Sequence, residues 1–164
     1  MPTVHLICGP TGAGKTTYAI ALAKRSKGVR FSIDDWMAVL FGADWPASAS
    51  LPWMLERAAR CEAQMWAVAD QVLALGTDVI FDVGLSKRDD RDRFRVRTAH
   101  TVAESKLHYL DVDLETRRAR VKKRNAERAG TYSFYVSDAM FDFMEGWFET
   151  PTDDELYGAM IVCG

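Results

Sequence analysis

The stretch Gly9-Pro10-Thr11-Gly12-Ala13-Gly14-Lys15-Thr16 constrains this chain more than any other part of it. It fits the spacing G-x-x-x-x-G-K-[ST] at every position. An apolar run, Thr3–Cys8, leads into it, and a helical pattern starts at its lysine. Strand, glycine loop, lysine, hydroxyl and helix thus stand in the order a phosphate-binding loop requires. Gly9, Gly12 and Gly14 permit unusual dihedrals and close backbone approach. The amides of the loop that runs through Pro10, Thr11 and Ala13 can then converge on an anion, the proline itself having no N–H, helped by the positive end of the following helix. Lys15 supplies a cation to the terminal phosphates, the Thr16 hydroxyl is placed to ligate Mg²⁺, and Thr17 is a further candidate for a phosphate contact. The motif implies a nucleoside triphosphate without specifying a reaction.

The pattern continues as alternating strands and helices. A helix over 15–27 carries Tyr18, Ala19, Leu22 and Ala23 on its apolar side and stops at Gly28. Strand patterns follow at 29–33, 78–83, 106–112 and 159–163, with helices expected at 34–41, 53–75, 86–103, 114–129 and 137–147. Gly42 to Pro52 reads as a loop. Ser86 with Asp89 resembles a capping box, and Asp113 can cap the helix after it. Such alternation demands a parallel sheet covered by helices on both faces. With 164 residues, 48% of them apolar, a single domain over 1–164 is expected. No apolar run approaches the ~20 residues that span a bilayer. Cys8, Cys61 and Cys163 form no metal-binding pair and read as buried reduced thiols of a cytoplasmic protein. His5, His100 and His108 have no ligand spacing and read as structural.

Two acids follow the second strand, Asp34 and Asp35. Ligands of open parallel sheets bind outside the carboxyl ends of the strands. A carboxylate there can take the proton of a hydroxyl that attacks a phosphoryl group, and it can equally cap the next helix. Because a cap needs only one acid, Asp34 is expected to be the base. Asp82 ends the third strand and is a candidate to hold Mg²⁺ through water.

The net charge of −2 gives no prior for a polyanion coat, but the charge is unevenly distributed. Residues 87–128 hold 14 basic and 8 acidic side chains. Arg117, Arg120, Arg124 and Arg128 recur at helical spacing, which puts four guanidiniums on one face. They fit either a lid that closes over phosphates or a solvated face. Arg88, Arg91, Arg93, Arg95 and Arg97 interleave with Asp89, Asp90 and Asp92, which favours surface pairing. Trp36, Trp45 and Trp53 surround the proline-containing loop and fit either an acceptor pocket or loop packing.

Taken together, these motifs resemble the small P-loop kinases related to the polynucleotide 5′-hydroxyl kinase domain, chloramphenicol phosphotransferase and the zeta-toxin kinases, also described as AAA-type ATP-binding kinase-like proteins. The resemblance covers nearly the whole chain. It rests on residues 9–16, Ser32-Ile33-Asp34-Asp35, residues 79–91, Leu110-Asp111-Val112, Arg120 with Lys123-Arg124-Asn125, and Phe148-Glu149-Thr150-Pro151 with Glu155. It implies a P-loop NTPase fold, a three-layer α/β/α sandwich whose five-stranded parallel sheet has the order 2-3-1-4-5, with a helical arginine lid at about 114–136. It also implies that Asp34 is the general base, that Lys15 and Thr16 serve the phosphates and Mg²⁺, and that Arg124 and Arg128 reach the ATP phosphates. The Glu149 to Pro151 turn holds a position that can border adenine. Where polynucleotide kinases carry Asp-Asp-Tyr-Arg and an Asn, this chain has Asp34-Asp35-Trp36-Met37 and Gly84. The expected activity is ATP-dependent phosphorylation of a hydroxyl on a small polar acceptor, such as a nucleotide sugar, an antibiotic or a metabolite. A polynucleotide 5′-hydroxyl end and an acceptor-free ATPase or switch are the alternatives. No membrane partner is expected, and the chain is expected to be a monomer or homodimer.

Overall fold

The computed structural model describes residues 1–48, 50–128 and 135–164. Five strands, β1 (Thr3–Cys8), β2 (Val29–Ser32), β3 (Val79–Asp82), β4 (Glu104–Asp111) and β5 (Met160–Cys163), form one sheet. Its order is β2-β3-β1-β4-β5, and every neighbouring pair is parallel. This is the expected fold. The helices are α1 (Lys15–Ser26), α2 (Ile33–Phe41), α3 (Leu51–Ala74), α4 (Arg88–Ala99), α5 (Leu114–Glu127), α6 (Asp138–Trp147) and α7 (Asp153–Leu156). A 3₁₀ turn, Gly42–Asp44, lies within the expected loop. Among the described residues no helix is long and apolar enough to cross a membrane.

The central strand β1 is buried on both faces. Val4 and Leu6 join Phe31, Phe81, Met65, Trp66, Leu73 and Phe94 in the core under α3 and α4. Ile7 packs on the other face with Ile80, Leu110, Ala19 and Leu22 of α1. Strands covered on both sides read as near-continuous apolar runs, which is why β1 and β3 were legible.

Several boundaries differ from expectation because polar groups were available at different places. Ser32, rather than Asp34 or Asp35, caps α2, its hydroxyl accepting from the Asp35 amide at 3.3 Å. The helix therefore starts at Ile33 and leaves both acids without a capping duty. The Ser86 capping box does not form: α4 starts at Arg88, and Lys87 at its N-cap gives no side-chain bond. The Glu149 carboxylate instead accepts from the Arg88 amide at 2.9 Å, while the Glu149 amide donates to the Ser86 carbonyl at 2.9 Å. A cap supplied from 61 residues away leaves no local signal. Helix α4 also stops at Ala99, not near Ala103, and β4 starts early, at Glu104. Asp113 caps α5 as expected, accepting from the Thr116 amide at 2.8 Å. The expected helix end at Ala129 lies outside the described residues; α5 ends at Glu127, and Arg128 takes a left-handed conformation with φ 47 degrees. Helix α7 was not anticipated; Thr152 and Glu155 build its capping box. Cys8 and Cys61 are buried, but Cys163 on the edge strand is exposed, contrary to expectation.

Two of the three histidines meet across β1 and β4. His5 Nδ1 lies 2.9 Å from His108 Nε2, Tyr18 Oη lies 2.9 Å from His108 Nδ1, and His5 Nε2 lies 3.4 Å from Asp78 Oδ2. With both rings neutral, every bond in the row is satisfied: the Tyr18 hydroxyl donates to His108, His108 to His5, and His5 to Asp78. Burial, reinforced by the charge of His5, pushes His108 down to about 4, and burial also lowers His5 against the opposing pull of Asp78. The unfolded chain therefore binds more protons than the folded one from an ordinary value of 6.5 down to about 4. Thermal unfolding followed against pH should show full stability above that window and a falling melting temperature as the pH drops through it. His108→Gln should make the decline shallower.

Candidate active site

The loop between β1 and α1 bends through Gly12 at φ +79 degrees and Gly14 at φ +90 degrees. Beside it lies a cavity of about 190 Å³. Gly9, Thr11, Gly12, Gly14, Lys15, Thr16 and Thr17 line one wall. Pro10 and Ala13 are buried beneath the loop rather than on its surface. Asp34, Asp82 and, from α5, Arg124 also line it. Ile33, Val136, Met144, Trp147 and Phe148 supply an apolar side, interrupted by Gly84 and Ser86.

Lys15 Nζ donates to the carbonyls of Gly9 at 2.8 Å and Pro10 at 3.0 Å, so the ammonium is held across the mouth of its own loop. Burial lowers its pKa, opposed by the charges of Asp82, Cys8 and Asp34. Asp34 is open to the cavity yet crowded by protein on its other sides. That burial, followed by the charge of Asp82, raises its carboxyl, while Lys15 pulls it down. A raised carboxylate in a cleft is a stronger base than a solvated one.

Asp35 and Asp82 are differently placed. Asp82 is 6% exposed, and Arg30 donates to its Oδ2 from both Nε, at 3.2 Å, and Nη2, at 2.9 Å. Arg30 Nη1 donates to Asp35 Oδ2 at 3.1 Å. Asp35 does not line the cavity, so of the two adjacent acids Asp34 is the one in position to meet a substrate. Nothing in the local sequence marks Arg30; only the β2–β3 register, with Ser32 opposite Asp82, brings it there.

The four-arginine stripe separates into different roles. Arg117 is buried, its Nη1 and Nη2 donating to the Glu145 carboxylate at 2.6 and 2.8 Å, its Nε to the Val112 carbonyl at 2.9 Å and Nη1 also to the Thr11 carbonyl at 3.3 Å. It therefore braces the phosphate loop and does not offer a free cation. Arg124 is the member that faces the cavity, and its buried Nε has no hydrogen-bond partner among the described residues. Arg120 and Arg128 are exposed and do not line the cavity. Of the expected lid at 114–136, residues 129–134 lie outside the described residues. The second arginine group pairs at the surface as expected, Arg88 with Asp154, Arg93 with Asp90 and Glu62, and Arg97 with Asp70. Arg91 is the exception: it is 0% exposed and forks onto Glu155 at 2.7 and 3.0 Å.

None of Trp36, Trp45 and Trp53 lines the cavity. Trp36 packs on Phe31, and Trp45 packs on Trp53, over which Arg57 stacks at 3.8 Å. The tryptophan on the wall is Trp147, stacked on Phe143 and covered by Lys87 at 4.4 Å. The Glu149 side chain is engaged with Lys87 and the α4 amide.

The site suits Mg²⁺ in one respect. Thr16 and Asp82 share the cavity, and both Arg30 bonds fall on a single oxygen of Asp82. Among the described residues no cluster of three or more His, Cys, Asp or Glu is placed to hold a metal by itself. That donor set fits a hard cation that keeps water and phosphate ligands.

A family model described as an AAA domain matches residues 4–151. No curated protein matches the chain. Among solved structures the chain is similar to Kti12 of Chaetomium thermophilum in complex with ADP-AlF3, at 17% identity and a TM-score of 0.71, covering 98% of this chain and 88% of that one. A sugar kinase from Janibacter sp. aligns at 19% identity and a TM-score of 0.67, covering 99% and 86%. The APS kinase of Mycobacterium tuberculosis, in complex with AMPPNP and APS, aligns at 14% identity and a TM-score of 0.60, covering 99% and 88%. At these identities the likeness establishes the fold.

The loop tolerates no side chain at Gly12, where a Cβ would stand 2.7 Å from the Arg117 carbonyl oxygen. Gly12→Ala should destabilise the protein by about 1–3 kcal/mol in urea unfolding, through this overlap and the positive φ.

Proposed function

Because the chain belongs to the AAA domain family and its phosphate loop faces an aspartate that has no partner among the described residues, we propose that it is an ATP-dependent kinase acting on a hydroxyl of a small polar acceptor. The single observation that carries this reading is Asp34: it lies in the same cavity as Lys15 and Thr16 while its neighbours Asp35 and Asp82 are held by Arg30. The loop amides and Lys15 bind the triphosphate tail. Thr16 and Asp82 would hold Mg²⁺, which neutralises charge on the β- and γ-oxygens when bound. Asp34 accepts the proton of the acceptor hydroxyl as its oxygen forms a bond to the γ-phosphorus and the bond to the ADP oxygen breaks. Arg124, whose Nε has no partner among the described residues, is suited to the charge on the transferring oxygens. Helix α5, the described part of the expected lid at about 114–136, serves as the lid of a single domain, and the free thiols support a cytoplasmic location.

The wall formed by Met144, Trp147 and Phe148 supports an acceptor with an apolar ring face, such as a nucleotide sugar, an antibiotic or another ring-bearing metabolite. A polynucleotide end is less well served. The basic side chains of α4 are mostly engaged by Asp154, Asp90, Glu62, Asp92 and Asp70 and leave little positive surface for a backbone.

Labelled γ-phosphate should pass from ATP to a small hydroxyl compound in a panel that also contains 5′-hydroxyl oligonucleotides. Label found only in oligonucleotides, or only in free phosphate, would reject the acceptor or the kinase reading respectively. Asp34→Asn should bind ATP within about twofold of wild type and lose roughly 10²–10⁴ in transfer rate. Near wild-type transfer by that variant would remove Asp34 from the role of base. Lys15→Ala should lose transfer and weaken ATP binding together. The wild-type rate should fall on the acid side at a pH above the ordinary aspartate value of about 3.9, because the base is raised and must be ionised.

A further inference from the structure

Three carboxylates, Asp34, Asp35 and Asp82, cluster at the carboxyl ends of β2 and β3, where the triphosphate of the proposed reaction would add further negative charge. Such a cluster repels both itself and its ligand unless a cation compensates it. Lys15 feels the charges of Asp82 and Asp34, but its ammonium is bonded to loop carbonyls and makes no hydrogen bond to either acid. The cation within the cluster is Arg30. It stands two residues before Ser32 on β2, as Ile80 does before Asp82 on the paired strand. Residues two apart on a strand share a face, so its side chain runs along the sheet surface toward Asp82. Its side chain is only 17% exposed, and it bonds Asp82 twice and Asp35 once. It makes no bond to Asp34.

We infer that Arg30 is a positioning residue of this site: it neutralises and fixes Asp82 beside the phosphate loop, holds Asp35 away from the cavity, and so leaves Asp34 as the one acid free to meet an acceptor. A planar fork suits this task, because one guanidinium reaches two carboxylates in fixed directions. The consequence is specific. Without Arg30 the charge of Asp82 opposes the triphosphate, offset among the described residues of the cavity by the more distant Lys15, and a divalent cation becomes the main means of cancelling it.

The inference rests on the reading of the cavity as an ATP site, and ATP binding with and without Mg²⁺ tests the two separately. Calorimetric titrations would compare wild type, Arg30→Met, Arg30→Lys and the double variant Arg30→Met/Asp82→Asn. In R30M, metal-free ATP should bind about tenfold more weakly, with Mg²⁺ recovering most of the loss. R30K should recover part of the loss, because it restores the charge without the fork that reaches both acids. The double variant removes both charges and should bind metal-free ATP at about wild-type strength; it also carries the test if R30M alone does not fold. The inference is overturned if R30M binds like wild type in both conditions, if it loses equally in both and lysine does not rescue it, or if the double variant remains weak toward metal-free ATP. A wild-type protein that binds ATP in neither condition would overturn the nucleotide reading, and this inference with it.

Discussion

Between Cys8 and Lys15 the chain has to turn from a buried strand into a helix and still leave its amides directed outward. Gly12 and Gly14 make that possible by adopting positive φ, a conformation in which a Cβ collides with the backbone. The loop is shaped from outside as well as by its own dihedrals. Gly12 lies directly against the first turns of α5, and Arg117 on that helix donates to the Thr11 carbonyl. The wall of the cavity and the helix that faces it are therefore one packed unit, and a change in either is felt by the other.

Around that unit three arginines act as internal braces. Arg117 ties α5 to α6 through Glu145, Arg91 ties α4 to α7 through Glu155, and Arg30 ties β2 to β3 through Asp82. Arg91 also donates to the carbonyls of Leu85 and Glu149, which anchors the loops on either side of the cavity. A charge out of water is expensive, and an ion pair recovers that expense only when its geometry and its remaining hydrogen bonds are nearly complete. Here each guanidinium is engaged at several donors, which fixes its loops in a single arrangement. The cavity is thus framed by groups that cannot shift independently, a condition for holding reacting atoms in line.

Much of the fold was legible in the sequence because its signals are local or periodic. Strands β1 and β3 are largely apolar runs, α3 carries a helical stripe, and Asp113 caps the helix it precedes. The phosphate loop needs only its own eight residues to be recognised. Asp34, placed by adjacency to the end of β2, also lines the cavity. Other expectations failed where the partner lay far along the chain. Ser86 looked like a cap, but the carboxylate that reached the helix end was Glu149. The arginine stripe read as one charged face because spacing alone cannot tell that Glu145 would bury Arg117. The tryptophans near the proline loop drew attention by proximity, whereas the one on the cavity wall is Trp147, more than a hundred residues beyond the loop it faces.

What the sequence by itself determined is the alternating strand–helix order and the anion-binding turn, since both follow from short-range periodicity, steric freedom at glycine and the run of one motif. Tertiary structure decided which ionisable groups stay free. Arg30 and Asp82, Arg91 and Glu155, and Arg117 and Glu145 become partners only when parallel strands fall into register and helices dock on them. Whether a charge binds a ligand or a neighbour depends on which oppositely charged group the fold brings within a few ångströms, and Coulomb attraction at that range outweighs any preference encoded nearby.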